Sequence, residues 1–364
     1  MAALPQRLAI DAVLAAGAGF DTWIDARSPA EFAEDHLPGA VNWPVLDDAE
    51  RARVGTLYVQ QSPFAARKIG AALVARNIAA HIEAQLADTP RDWRPLVYCW
   101  RGGQRSGSLA LVLAQIGFRA AQLEGGYKAF RARVRADLDT LPAALRFRVL
   151  CGRTGSGKTR LLQALRDAGA QVLDLEGLAH HRGSVLGGMP GLPQPTQKHF
   201  DTRVWQVLRS FDATRPVFVE SESAKIGNLR VPPALLERMH AGGHCVRIDT
   251  HDDARVALLL DDYRDAMADP EPLCRLLDAL VELRGRERIA QWQALARGGR
   301  WPELVRALMA EHYDPLYEHS MRRSYPDLDR APSVALQHGS ATEMNAVAGA
   351  LIALPEGPPA RPSD

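Results

Sequence analysis

Cysteine is scarce in this chain, with four residues in 364, and Cys99, Cys151, Cys245 and Cys274 lie far apart. None forms a CxxC pair, so a disulfide framework and a zinc ribbon are both excluded, and a reducing cytoplasm is the expected compartment. No apolar run approaches the length that crosses a bilayer, so no membrane association is expected. The small-residue stretch from Ala12 to Gly19 is bounded by Asp11 and Asp21 and does not read as a signal peptide. An excess of one charge is also missing: 44 basic residues face 43 acidic ones, for a net charge of +1. Residues 1–140 carry 16 basic and 15 acidic side chains, which leaves 28 of each for the rest. A nucleic-acid partner would therefore be met by local patches and not by a global field. Lysine is rare, five of the 44 basic residues, a bias that genome composition explains as readily as phosphate recognition does.

What is present is a globular composition, 46% hydrophobic and 24% charged, in a chain too long for one ordinary core. Two α/β domains are expected, at 1–140 and 141–354, with a disordered tail at 355–364. Thr22-Trp-Ile-Asp25 and Leu96-Val97-Tyr98 read as short strands, 65–86 and 106–116 as helices, and Ala120–Leu123 as a further strand. This alternation implies a small parallel sheet. A second unit opens at Phe147-Arg-Val-Leu150, after a helical stretch at 128–140. Further strands are expected at 171–175, 216–220, 244–249 and 333–336, and 273–323 reads as almost wholly helical.

Gly152-Arg-Thr154-Gly155-Ser-Gly157-Lys158-Thr159 matches GxxxxGK[ST] between an apolar strand and a helical run containing Leu161, Leu162 and Leu165. Glycines let backbone N–H groups converge on phosphate oxygens, the helix N-terminus adds positive potential, and Lys158 supplies a full charge. Thr159 is placed to hold Mg²⁺ if a metal is used. The partner strand Pro216-Val-Phe-Val-Glu220 ends in glutamate where aspartate is usual. Glu220 and Glu222 are candidates to hold Mg²⁺ or to orient a ligand, and anchoring a diphosphate leaving group fits as well as kinase chemistry.

Tyr98-Cys99-Trp-Arg101-Gly-Gly-Gln-Arg105-Ser106 places a cysteine between a strand end and a helix. Loop amides, the helix N-terminus and Arg105 favour a thiolate with an anion held above it. The other three cysteines sit in apolar strands or a helix and read as inert. Both loops lie in acid-free stretches, from Asp92 to Glu124 and from Asp139 to Asp167, which favours anionic ligands at each.

Asp25-Ala-Arg27-Ser-Pro-Ala-Glu31-Phe32, His36-Leu-Pro38-Gly39-Ala40-Val-Asn42 and Leu123-Glu-Gly125-Gly126-Tyr127 resemble rhodanese domains, with Arg27 and Glu31 as braces and His36 as a packed or capping residue. The cysteine loop is one residue longer than in plain sulfurtransferases and is similar in length to that of rhodanese-related phosphatases. Joined to the P-loop, Leu175-Glu-Gly-Leu-Ala, His181-Arg-Gly-Ser184, Glu220-Ser-Glu-Ser223 with Ile226-Gly227, and His312-Tyr-Asp-Pro315 with Tyr317, the whole pattern resembles the tRNA 2-selenouridine synthase family over residues 8–350.

That resemblance implies replacement of sulfur by selenium at wobble 2-thiouridine 34 of tRNA. Selenophosphate is the implied selenium donor, and an S-geranyl intermediate made from geranyl diphosphate is the implied route. It leaves open whether Cys99 carries selenium covalently or assists displacement. No tightly bound cofactor is expected, and no metal site is read at His180-His181, since adjacent histidines chelate one ion poorly. A selenophosphate-producing enzyme is a candidate partner. Candidate tRNA contacts are Arg101, Arg284, Arg288, Arg322 and Arg323. Trp292 and Trp301 read as core, and His312 with Asp314 as either a catalytic pair or a structural helix end. An ATP-coupled sulfurtransferase and a phosphatase–kinase fusion acting on a metabolite are the competing readings.

Overall fold

The computed structural model describes residues 4–15, 19–184, 186–189 and 191–354, so the tail at 355–364 lies outside the described residues. The chain divides into two compact units. The first runs to Asp137 and takes in Pro195–Gln206; the second comprises Leu138–Gln194 and the chain from Val207 onward. The boundary falls inside the helix Gly126–Ala144.

The first unit is built on five parallel strands: β1 (Gln6–Leu8), β2 (Thr22–Asp25), β3 (Val41–Asn42), β4 (Pro95–Tyr98) and β5 (Ala121–Leu123), in the order β1-β5-β4-β2-β3. Strands β1 and β3 are too short to show a period in the sequence. All of β4 is buried, as the middle strand of a sheet covered on both faces must be. The helix Pro63–Gln85 is started by Ser62, whose hydroxyl accepts from the Ala65 amide at 3.0 Å. The helix Gln104–Ile116 ends on Gly117 at φ 115°, a left-handed stop. Ile24, Val97, Leu109, Leu113, Trp93 and Phe118 share the core.

Charge is also buried here. Asp25 and Arg27 are both fully enclosed and ion-paired at 2.6 Å. Arg27 also donates to the Asp35 carbonyl at 2.6 Å and lies 4.0 Å from the Tyr127 ring centroid. The Asp35 carboxylate accepts from Tyr127 at 2.8 Å and from Thr202 at 3.1 Å. Thr202 explains why Pro195–Gln206 belongs to this unit, which no linear reading of the chain suggests. Trp205 likewise donates to Asp137 at 2.8 Å and meets Phe130 edge-on.

In the second unit, β6 (Phe147–Cys151), β7 (Gln171–Leu173) and β8 (Val217–Glu220) come first. A hairpin of β9 (Lys225–Ile226) and β10 (Leu229–Arg230) follows, then β11 (His244–Thr250) and β12 (Ser333–Leu336). The main sheet is parallel, in the order β12-β11-β6-β8-β7. Leu150, Leu161, Leu165, Phe218, Ile248 and Met344 pack across it. The expected helical run 273–323 is six short pieces from Glu271 to Ser324, one of them a π-turn at Met309–Tyr313. Gly285 and Gly299, at φ 82° and 67°, interrupt it. Trp292 sits in its core and Trp301 packs against that core. Among the described residues no helix is long and apolar enough to cross a membrane.

Removing one partner of the buried Asp25–Arg27 pair strands the other. Arg27→Met should therefore destabilise the first unit by about 3–5 kcal/mol. Urea unfolding followed by tryptophan fluorescence checks this, and an unshifted midpoint would show that the pair does not brace the fold.

Candidate active sites

Cys99 follows β4 directly and is 3% exposed. Its loop is seated on backbone. The Tyr127 amide donates to the Cys99 carbonyl at 2.8 Å, and the Lys128 amide to the Trp100 carbonyl at 3.0 Å. Gly126, at φ 54°, lies so close that a Cβ there would collide with the Cys99 carbonyl, and a Cβ on Gly102 would fall 2.5 Å from the Leu123 carbonyl. The Cys99 thiol accepts a hydrogen bond from the Ser106 hydroxyl at 3.1 Å. Ser106 is held in turn by Gln122, whose amide donates to it at 2.9 Å and to the Gly102 carbonyl at 2.9 Å. The sulfur is thus directed at the first turn of the helix Gln104–Ile116, where backbone amides have no helical acceptor.

Arg105, expected to face the anion, is already engaged: it donates to both Glu31 oxygens, at 2.6 and 3.3 Å. Burial pushes the Glu31 carboxyl up, but the hydrogen bond and charge of Arg105, with the Ser28 amide and the charge of Arg27, together outweigh it and hold the group below the usual carboxylate range. Glu31 is a brace, as the motif suggested, and Arg105 is the cation it positions. Arg101 is exposed on the same loop. His36 stacks on Phe32 at 3.9 Å and its Nδ1 lies 2.9 Å from the Phe32 carbonyl, which makes it a packed residue. Cys151 and Cys274 are buried free thiols, and Cys245 is half-buried.

The second site begins where β6 ends. Gly155 and Gly157 hold φ of 78° and 82°, values only glycine adopts without strain. Gly152 is hemmed in by the Ser156 side chain, and Lys158 donates to the Gly152 carbonyl at 2.6 Å. The Thr154 carbonyl accepts twice from Arg255, at 3.0 and 2.8 Å. Arg255 is fully buried and ion-paired with Asp314 at 2.5 Å and Asp252 at 2.9 Å, so it ties the P-loop to the helix Asp314–Ser324. Arg153 also reaches Asp314, at 3.2 Å. His312 and Asp314 therefore do not form a pair. His312 is buried and its Nδ1 accepts from Arg284 at 3.2 Å, while Asp314 serves the P-loop arginines.

Glu176 and Glu222 lie near the lysine, and Glu220 lies near both glutamates. Glu220, 2% exposed, accepts from the Glu176 amide at 2.7 Å, and the Thr159 hydroxyl donates to Glu176 at 3.1 Å. Burial pushes the Glu220 carboxyl well above the usual range. Burial also raises Glu176, against the opposing charge of Lys158, and lifts Glu222 to about 8, with Glu176 adding repulsion. Glu220 thus orients the Glu176 segment. Among the described residues no group of three or more metal-binding side chains is formed.

Of the candidate tRNA contacts, Arg284 is committed to His312 and Arg288 to Glu311 at 3.0 Å, whereas Arg322 and Arg323 are exposed in the last turn of their helix. Ser106, Gln122, Glu176 and Arg255 escape a reading of the sequence as site residues. Ser106 and Glu176 stand in stretches the sequence singles out but take their roles from Gln122 and from Glu220 and Thr159, while Gln122 and Arg255 carry no local signal.

A cysteine loop on one parallel sheet and a P-loop on another define a rhodanese-like unit joined to a P-loop unit. Family models agree: residues 11–133 match the rhodanese-like domain, and 145–272 match the tRNA 2-selenouridine synthase AAA domain. The tRNA 2-selenouridine synthase of Alcanivorax borkumensis is 32% identical over 355 residues, covering 89% of this chain and 94% of that one. The synthases of Chromohalobacter salexigens and Bordetella petrii are 35% and 36% identical, over 83% and 82% of this chain and 88% and 87% of theirs. The chain belongs to the tRNA 2-selenouridine synthase family.

Glu222 provides a test of the electrostatics. It binds its proton more tightly folded than unfolded, so between the ordinary carboxylate range and about pH 8 the folded state holds the extra proton. Stability should fall as pH rises through that window, and the fall should be shallower in Glu222→Gln. Thermal midpoints across that range check this, and identical slopes for the two proteins would contradict a raised Glu222.

Proposed function

We propose that this protein exchanges the 2-thio sulfur of wobble uridine 34 in tRNA for selenium, in two steps. In the first, the thiouridine sulfur attacks C1 of geranyl diphosphate. A carbon–sulfur bond forms, the carbon–oxygen bond to the diphosphate breaks, and the N3 proton is released. Lys158 and the P-loop amides from Gly152 to Thr159 stabilise the departing pyrophosphate, with no nucleotide hydrolysed. In the second, selenium from selenophosphate displaces the geranyl thiolate from C2, and the phosphoryl group passes to water. Alkylation is what makes the sulfur a competent leaving group.

The observation that carries this reading is the P-loop's surroundings. The strand beside the P-loop ends in Glu220, which accepts from the Glu176 amide at 2.7 Å and stands where nucleotide-hydrolysing relatives of the loop have the aspartate that holds Mg²⁺, so Lys158 and the loop amides are what the site offers an anion. The Cys99 loop supports a separate anion, selenophosphate, close to the thiol that Ser106 orients. Cys99, as the thiol beside that anion, assists delivery of its selenium. The remaining assignments are tRNA bearing 2-thiouridine as partner, Arg101, Arg322 and Arg323 as its phosphate contacts, and a selenophosphate-producing enzyme as supplier.

The two centres can be separated by mass spectrometry of nucleosides from tRNA incubated with geranyl diphosphate and selenophosphate. Lys158→Ala should lose geranylation while folding normally. Cys99→Ala should still geranylate but fail to install selenium, so that S-geranylated tRNA accumulates, and Arg105→Ala should show a weaker form of the same defect. Full selenation by Cys99→Ala would reduce the rhodanese-like unit to a scaffold. Robust tRNA-stimulated ATP hydrolysis would favour the ATP-coupled sulfurtransferase instead.

A further inference from the structure

Beside the P-loop the second unit contains a cavity that the chemistry above leaves unused. Thr154 of the P-loop lines it, and so do Leu259, Tyr263, Leu304 and Leu308. The loop adjoins the cavity: Gly155 rests on the wall residue Leu259, and a Cβ at Gly155 would come within 2.7 Å of that side chain. Among the described residues no charged, carboxamide or imidazole side chain lines the space, and its polar groups are limited to hydroxyls and the Trp301 indole. The Arg182 guanidinium lies 4.5 Å from the ring of the wall residue Tyr263, which places a cation at the border.

A nucleotide bound through the same P-loop would bring a base and a ribose. Their donors and acceptors need partners once desolvated, at a cost of ~1–3 kcal/mol for each left unpaired. This cavity offers almost none. A hydrocarbon chain makes no such demand and gains by leaving water. The space amounts to at most about 610 Å³ with its part open to solvent included, which excludes a long polyprenyl tail.

We propose that this cavity is the hydrocarbon subsite of the P-loop's ligand: it holds the chain of a short allylic diphosphate whose diphosphate lies on Gly152–Thr159. The inference rests on reading the P-loop as a diphosphate site and adds the side chains that choose the ligand over a nucleotide. Leu259, Leu304, Val305 and Leu308 would set the chain length accepted.

The test is equilibrium binding to the full chain, by calorimetry, of inorganic pyrophosphate, geranyl diphosphate and ADP. Geranyl diphosphate should bind about tenfold more tightly than pyrophosphate or better, since each pair of buried methylenes is worth about that factor. Val305→Trp, at a half-buried wall position, should erase this excess and leave pyrophosphate affinity unchanged; Val305→Ala should keep it. Leu260→Trp, in another helix, is a second filling variant should Val305→Trp fail to bind pyrophosphate. An excess that survives both tryptophans overturns the assignment, and so does wild-type protein that binds ADP more tightly than geranyl diphosphate or shows no excess over pyrophosphate. If the excess exists and is erased by tryptophan, but no geranyl group reaches 2-thiouridine tRNA, the subsite stands and the reaction proposed above falls.

Discussion

Both reactive loops start where the middle strand of a five-stranded parallel sheet ends: β4 delivers Cys99, and β6 delivers Gly152. In open parallel sheets the crevice at the carboxyl ends of the strands, where connections leave in opposite directions, is where ligands bind. The constraint is steric. A chain leaving a fully buried strand must turn at once into a helix that packs back on the sheet, and where the turn's backbone meets its neighbours there is no room for a side chain. Gly126 against the Cys99 carbonyl, and Gly155 against Leu259, are the points where a single Cβ would break the arrangement. Glycine is the entry requirement for both cradles, and the unpaired amides of the next helix are their common chemical product.

The two cradles then differ in how charge is held. Around Cys99 two acids are paired with arginines: Asp25 with Arg27, and Glu31 with Arg105. These pairs fix the loop's surroundings without presenting a free carboxylate to the thiol. Around Lys158 the glutamates are buried without an adequate share of positive charge, and burial keeps their carboxyls raised. Lys158 is the cation that opposes the raised carboxyls of Glu176 and Glu222.

Much of this was legible in the sequence, because the signals are local. Thr22–Asp25 is a strand at the expected residues, and the glycine spacing of the P-loop specifies both its turn and the helix that follows. The cysteine between a strand and an arginine-bearing helix is equally local. What could not be read was tertiary. Arg255 looks like one more polar residue of an amphipathic helix, yet it is fully buried under Thr154 because Asp314 comes to meet it from 59 positions away. Ser106 is an unremarkable helix residue until Gln122, 16 positions on, directs its hydroxyl at the sulfur. Pro195–Gln206 joins the first unit through Thr202 and Trp205, contacts made 167 and 68 positions away. The pairing of His312 with Asp314 fails for the same reason, since each finds a better partner elsewhere.

The central claim is that the two cradles perform separable steps on one tRNA, joined by an S-geranyl intermediate. A chase experiment tests it most directly. Wild-type protein is incubated with 2-thiouridine tRNA and geranyl diphosphate alone, the tRNA is repurified, and fresh protein is added with selenophosphate and no geranyl donor. The account predicts that S-geranyl-2-thiouridine forms in the first stage and converts to 2-selenouridine in the second. S-geranyl tRNA that stays unchanged under selenophosphate, while untreated 2-thiouridine tRNA is selenated directly, would contradict it.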